Sequence, residues 1–373
     1  MNHRRTSADE QTANSSEYDV LIKMDNERIR IDVQARLLTE TSVDPEAQVY
    51  ETVIEDIQRF LHSRQLKFKY SLQIPQHFWV EEAGTSVSSI EEIERNSSTT
   101  RHFLLENVRS RGYTEDVLTG SATTGGLDYE HCVVAMTALA RFHASSYCYF
   151  KLQNIDLDHA YPFLQSTNTP RIEEKAKGLV DKLLSMYPQF KEIYEVSLKD
   201  DVQQCKKANR HFDVLCHGNF WRENILFSYC MELESRYLCN DAITFNLGSC
   251  EIGSCALDIL HFLFTSVDSD VRSEHFLDLA CSVYHNNFVK AVSVIEREVP
   301  VFSMKSLILE LENNLMLGFV TSVNFHYRML MDDDASGENE EEETSRYDLF
   351  EENIGNVIKN ILQFKTDAWS MIY

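Results

Sequence analysis

After a polar stretch from Met1 to Glu17, the run Tyr18 to Met24 (YDVLIKM) predicts a short strand that carries Lys23 near its end. Asp44 followed by Pro45 is a helix-start signal. Val49, Val53, Ile54, Ile57, Phe60 and Leu61 then recur at helical spacing, which predicts a helix over 45–63. From Phe68 to Val80 the pattern is β-like with an interruption at Pro75, and Glu81 to Arg101 reads as a polar, Ser-rich loop. Arg101 to Asn107 (RHFLLEN) predicts another strand. The first hundred residues thus read as strand, helix, strand, strand, a small sheet with one packed helix.

Beyond Gly125-Gly126 the pattern turns helical. Helices are predicted over 128–149, 171–186, 188–210, 256–265, 273–296, 305–331 and 346–370. Between them, Asn224 to Cys230 and Arg236 to Phe245 are two apolar runs separated by a short polar turn, the pattern of a hairpin. The fold class expected is α+β in two lobes, with a disordered leader at 1–17, a small lobe at 18–105 and a mainly helical lobe at 106–373 that contains the hairpin. No internal repeat is present.

The 373 residues are 43% hydrophobic, which suits a globular chain with a large core. The net charge of −24 argues against a nucleic-acid binder, because phosphate backbones are held by clustered Lys and Arg. Eight of the acids fall in one window, Asp332 to Glu343, expected as a solvated loop; without them the chain still stands at −16. No apolar run is long enough to span a membrane, and the N-terminus lacks the apolar core of a signal peptide. Nine scattered cysteines without a C-x-x-C pair predict reduced, mostly buried thiols rather than a disulfide framework or a zinc site, and so a cytoplasmic protein.

Chemistry concentrates in Val214 to Phe227 (VLCHGNFWRENILF). A strand leads into His217-Gly218-Asn219, and Asn224 follows at the head of the hairpin. That spacing is the kinase catalytic loop, where an acid after a His-containing turn orients the acceptor hydroxyl and an Asn five positions on binds Mg2+. The second strand of the hairpin should deliver a metal-binding acid followed by Phe; here it reads Ile243-Thr244-Phe245-Asn246. Upstream, a strand lysine that reaches the phosphates and a helix glutamate that anchors it are expected, and Lys23 and Glu46 fill those places. Taken alone, the pair reads equally as an exposed lysine and a glutamate favoured by the helix dipole.

At these residues the chain resembles the ecdysteroid-kinase-like (CHK kinase-like) family, relatives of choline kinases and aminoglycoside phosphotransferases. Members usually read H-G-D-x-W-x-x-N at the catalytic loop, then I-D-F-Q, then G-S-x-A-x-D. This chain has His217-Gly-Asn219-Phe-Trp221-Arg-Glu-Asn224, then Ile243-Thr-Phe-Asn246, then Gly253-Ser-Cys-Ala-Leu-Asp258. Leu139-Ala-Arg-Phe-His143-Ala and Leu104-Leu-Glu106-Asn-Val match two further family motifs, the second hinge-like. The resemblance implies a protein-kinase-like fold and ATP-dependent phosphotransfer to an alcohol, with Mg2+ as cofactor. It implies Lys23, Glu46 and Glu106 at the nucleotide, Asn219 at the base position with His217 supporting the loop, and Asn224 and Thr244 at the metal.

Two departures weigh on that activity. Asn219 stands where the family has its catalytic Asp, and it can position a hydroxyl but cannot take its proton; loss of a general base typically costs about 10²- to 10⁴-fold in rate. Thr244 stands where the family has its metal-binding Asp, and a neutral hydroxyl brings no charge to a cation that favours carboxylate oxygens. A third departure is expected ahead of Lys23, where the family places a phosphate-covering hairpin and this sequence is too short and too polar for a complete one. Asp241, out of register by three, and Glu251 are the acids nearest in sequence to the metal position, with Glu251 read as a loop residue. His217 and His143 are expected to brace the structure, Asp258 to cap or hold the loop, and Trp221 to wall an acceptor or simply pack. The reading favoured is a pseudokinase with weak or no phosphotransfer that binds a small hydroxylated ligand or a protein partner. The other is an active small-molecule kinase acting on a steroid-like or choline-like hydroxyl.

Overall fold

A computed structural model describes residues 15–24, 27–38, 44–66, 72–82, 100–116, 125–165, 171–199, 210–231, 237–331 and 340–372. The expected leader, 1–17, lies almost wholly outside them. Strands β1 (Ser15–Met24) and β2 (Glu27–Leu38) form an antiparallel hairpin, followed by α1 (Pro45–Val49), a π turn (Tyr50–Ile54) and α2 (Glu55–Ser63). Strands β3 (His77–Glu82) and β4 (Thr100–Glu106) complete a sheet of order β1-β2-β4-β3.

Asp44 starts α1 by accepting from the Glu46 and Ala47 amides at 2.9 and 3.0 Å, and Pro45 fits the first helical position, where no donor is needed. The helical run turns Ala47, Tyr50, Val53, Ile54, Ile57 and Phe60 inward. Tyr50 meets Phe103 of β4 at 5.6 Å, and Phe60 meets Tyr149 of the next long helix at the same distance. Each such side chain contributes about 1.5–3 kcal/mol by leaving water.

β2 corrects the expected order to strand, strand, helix, strand, strand. Its sequence, ERIRIDVQARLL, alternates Ile29, Ile31, Val33, Ala35 and Leu37 with charged or polar residues, the period of a half-buried strand. Five charges break up the segment, so it offers no continuous apolar run to mark it as a strand. The consequence falls on Lys23, which lies on the edge strand opposite Arg28, near the hairpin turn. The strand that leads into α1 and pairs with β4 is β2, where Arg36 stands opposite Phe103. Lys23 is itself part of an antiparallel hairpin, 15–38, and the stretch before Ser15, where a further hairpin is expected to be missing, lies outside the described residues.

The larger, mainly helical part runs through α3 (Tyr129–Gln153), α4 (Lys177–Met186) and α5 (Pro188–Lys199) to a pair of short sheets. Strand β5 (Asp213–Cys216) pairs with β8 (Glu251–Ser254), and β6 (Ile225–Met231) with β7 (Tyr237–Thr244). Glu251 is thus a strand residue opposite Cys216 rather than part of a solvated loop. The remaining helices are α6 (Ala256–Thr265), α7 (Ser269–Leu277), a π segment (Asp278–His285), α8 (Asn286–Ile295), α9 (Met304–Met331) and α10 (Glu340–Ile372). Glu340 to Glu343, the end of the acidic window, form the first turn of α10 instead of a loop. Residues 332–339 lie outside the described residues. This is the α+β architecture expected from the pattern, with residues 217–224 strung between β5 and β6.

Among the described residues no helix is long and apolar enough to cross a membrane. The eight described cysteines are free thiols, and only Cys230 and Cys239 are not buried.

Candidate functional site

The loop 217–224 is fixed from below by Asp258, at the first turn of α6. Its carboxylate accepts from the His217 amide at 2.6 Å and the Gly218 amide at 2.9 Å. The His143 ring, on α3, donates from Nε2 to the same carboxylate at 2.9 Å and accepts from the Tyr284 hydroxyl at its Nδ1, at 2.8 Å. Burial pushes the Asp258 carboxyl up, but the His143 and loop donors outweigh it and leave it below its ordinary range. Asp258 and His143 thus hold the loop, as braces. Gly218 is required where it stands: its φ is +74°, and a Cβ there would lie 1.9 Å from the Ser249 carbonyl oxygen.

His217 binds the loop to the hairpin. Its Nδ1 accepts from the Asn219 amide at 3.3 Å, so the ring proton sits on Nε2. From there it donates to the Thr244 hydroxyl at 2.7 Å and the Phe245 carbonyl at 3.0 Å. The Thr244 hydroxyl in turn donates to the Asn224 carbonyl at 3.0 Å. The three residues form a buried chain of hydrogen bonds. Burial pushes the His217 ring down to about 4, against the opposing charge of Asp258, so it is neutral at pH 7 and matches this arrangement.

The two expected metal ligands are therefore engaged with the protein. Thr244 is 2% exposed and its hydroxyl lies between His217 and Asn224. Asn224 is 5% exposed; its Nδ2 donates to the Asn219 carbonyl at 2.8 Å, and its Oδ1 accepts from Asn246 Nδ2 at 3.3 Å. Asn246 reaches it from a left-handed conformation, φ +65°. Asp241 is turned elsewhere: it accepts from the Tyr113 hydroxyl at 2.7 Å and from Gln73 Nε2. Mg2+ prefers several hard oxygens, carboxylates first, near octahedral geometry. A hydroxyl and a carboxamide, each already bonded, do not fit it.

Asn219 differs from its neighbours. It is half-buried, and among the described residues its side chain makes no hydrogen bond, so its carboxamide is left for a ligand. Trp221 packs edge-on against Phe325 of α9 at 4.8 Å. Glu46 is 1% exposed, and its Oε1 accepts from the Leu247 amide at 2.9 Å, which ties α1 to the segment just after Asn246. Glu106 ends β4, where it accepts from the Gln76 amide at 3.2 Å and pairs with Arg111 at 3.3 Å. The side chain of Lys23 lies outside the described residues. Its strand is separated from β4 by β2, and the expected pairing of Lys23 with Glu46 likewise lies outside the described residues.

Two features escaped the sequence. Asn246 is one; its place after Ile243-Thr-Phe was visible, but its bond to Asn224 depends on a backbone angle that no spacing announces. The other is a small apolar cluster of Val108, Tyr113, Leu226 and Ile243, with Phe245 against it, set apart from the main core. It packs the gap between the exit of β4 and the hairpin. Burial first, then the Asp241 carboxylate, pushes the Tyr113 hydroxyl up to about 12. His143, Cys216 and Asp258 also lie together, with ligand atoms within 4.8 Å of one another. The Cys216 thiol points at the Ser254 carbonyl at 3.4 Å, and burial raises it well above its ordinary value, so this knot is a hydrogen-bonded brace rather than a metal cradle.

The comparison with curated proteins found no match. Among solved structures, an aminoglycoside phosphotransferase from Alicyclobacillus acidocaldarius is similar at 12% identity, with 98% of both chains covered and a TM-score of 0.44. A choline kinase from Streptococcus pneumoniae is 8% identical over 91% of this chain and 94% of its own, with a TM-score of 0.29. A Plasmodium vivax ethanolamine kinase is 10% identical over 90% of this chain and 82% of its own, with a TM-score of 0.32. These likenesses are too distant to speak for activity. The ecdysteroid kinase-like family matches residues 5–297, a span that takes in the sheet, the loop, the hairpin and Asp258. That match is decisive: the chain belongs to the ecdysteroid kinase-like family.

Proposed function

We propose that this protein is a pseudokinase: it keeps the kinase-like frame and its ligand cleft, carries out little or no phosphotransfer, and binds a small hydroxylated molecule or a protein partner. The observation that carries this reading is that both expected metal ligands are taken up inside the protein: the Thr244 hydroxyl lies between the His217 ring and the Asn224 backbone carbonyl, and the Asn224 carboxamide is bonded to Asn219 and Asn246. Asn219 supplies no base, and Asn246 occupies the Asn224 carboxamide oxygen. Without a carboxylate pair, the charge that develops on a transferred phosphoryl group would lack its usual neutralisation. The free, half-buried side chain of Asn219 suits hydrogen bonding to a ligand hydroxyl. Free thiols suit a reducing compartment such as the cytoplasm.

The test is a turnover assay with ATP and Mg2+ over a panel of sterols, amino alcohols and sugars, read as ADP formed. Background hydrolysis alone is expected. Stoichiometric phosphorylation of any one hydroxyl would overturn this reading and establish an active small-molecule kinase.

A further inference from the structure

A cavity with a volume of about 330 Å³ lies between α7 and α10, lined by none of the residues of the catalytic-loop motif. One wall is Arg272, only 5% exposed. Its Nε donates to Asn360 Oδ1 at 2.6 Å, and its Nη1 donates to the Leu263 and Val267 carbonyls at 3.2 Å each. Every one of these acceptors is neutral. Among the described residues no acid stands within 4.0 Å of the guanidinium, and Nη2 makes no hydrogen bond. Carbonyls at the end of α6 soften the charge but do not cancel it. Burial lowers Arg272 to about 10, with Asp268 opposing, the mark of a cation that has lost water without gaining a close counter-ion. Beside it, Asn360 Nδ2 donates to Ser273 Oγ at 2.9 Å, which leaves the Ser273 proton to donate in its turn.

The rest of the lining narrows the ligand. Phe276, Leu277 and Phe364 offer apolar surface. Glu274, Asp278 and Asp367 also line the cavity and oppose every anion, in proportion to its charge, so the ligand that fits carries the single negative charge that pairs with Arg272 and no more. We infer that the α7/α10 cavity binds a small organic monocarboxylate with an apolar body, its carboxylate on Arg272 Nη2 and the Ser273 hydroxyl, at a site separate from the catalytic loop. A guanidinium with unused, coplanar donors is suited to a carboxylate.

Thermal unfolding of the full chain, titrated with sodium benzoate against sodium chloride of equal ionic strength, tests this. A saturable rise in Tm is expected, since a ligand that binds only the folded state stabilises it by mass action. Inorganic phosphate should leave Tm unchanged. Gln363→Glu alters a polar lining residue and should fold normally while weakening the benzoate response about tenfold by like-charge repulsion; Arg272→Met should abolish it. No saturable shift with benzoate would overturn the proposal, as would an equal shift in Gln363→Glu, or a response to phosphate as large as that to benzoate.

Discussion

Thr244 serves structure with one hydroxyl, which links the His217 ring to the Asn224 carbonyl. Thr244→Val keeps the shape and removes the link between His217 and Asn224. It should cost about 1–3 kcal/mol, the range for a buried group left without its partner, measured as a lower urea midpoint at unchanged m-value. An unaltered midpoint would mean that the hydrogen-bond chain adds nothing. His217 carries a pH signature. Its folded value of about 4 lies below the ordinary 6.5, so the unfolded chain takes up this proton first. Stability should be whole above pH 6.5 and fall towards pH 4, with a slope of up to about 1.4 kcal/mol per pH unit from this group. His217→Gln should flatten that slope by about one proton, and equal slopes in the two proteins would show that His217 is not buried neutral. At this scale the sequence announced which side chains are neutral, Asn219 and Thr244. It could not announce what they bond to, because Asn246 reaches Asn224 only through its left-handed backbone.

Among the elements, the helix start at Asp44-Pro45 and the hairpin 225–244 were plain in the sequence because local signals fix them: a cap with a proline, and two apolar runs about a turn. β2 was not, since its five charged residues hide a period-2 pattern, and this displaced Lys23 from the strand that leads into α1. Pairing of β5 with β8 is also non-local and gave Glu251 a strand position that its neighbours do not signal. The loop between β5 and β6 is the element most sensitive to substitution. Gly218→Ala combines a positive φ with a Cβ placed 1.9 Å from the Ser249 oxygen, so the loop must shift off Asp258. Loss of about 2–4 kcal/mol is expected from strain and broken hydrogen bonds, checked by denaturant unfolding; a variant as stable as the parent would show that the loop has another resting position. Gly318 on α9 is a milder case, with Leu260 of α6 2.9 Å from an added Cβ, and Gly318→Ala should cost about 1–3 kcal/mol by overpacking.

For the molecule as a whole, the acidity noted in the sequence divides into parts with different consequences. Half of the acids in the window, Glu340 to Glu343, open α10, while Thr244 and Asn219, the residues on which the proposed function turns, carry no charge. The loop holds its shape without charge at either position, because Asp258 and His143 fix it through hydrogen bonds that need no metal. The central claim is that metal-dependent phosphotransfer has been replaced by internal hydrogen bonding, and its most direct test is calorimetric titration of the full chain with ATP, with and without Mg2+. The parent protein should show no Mg2+-dependent gain in ATP affinity, while Asn219→Asp combined with Thr244→Asp should introduce one of about tenfold or more, the scale of one metal-held phosphate contact. A clear Mg2+-dependent gain in the parent protein would contradict the claim.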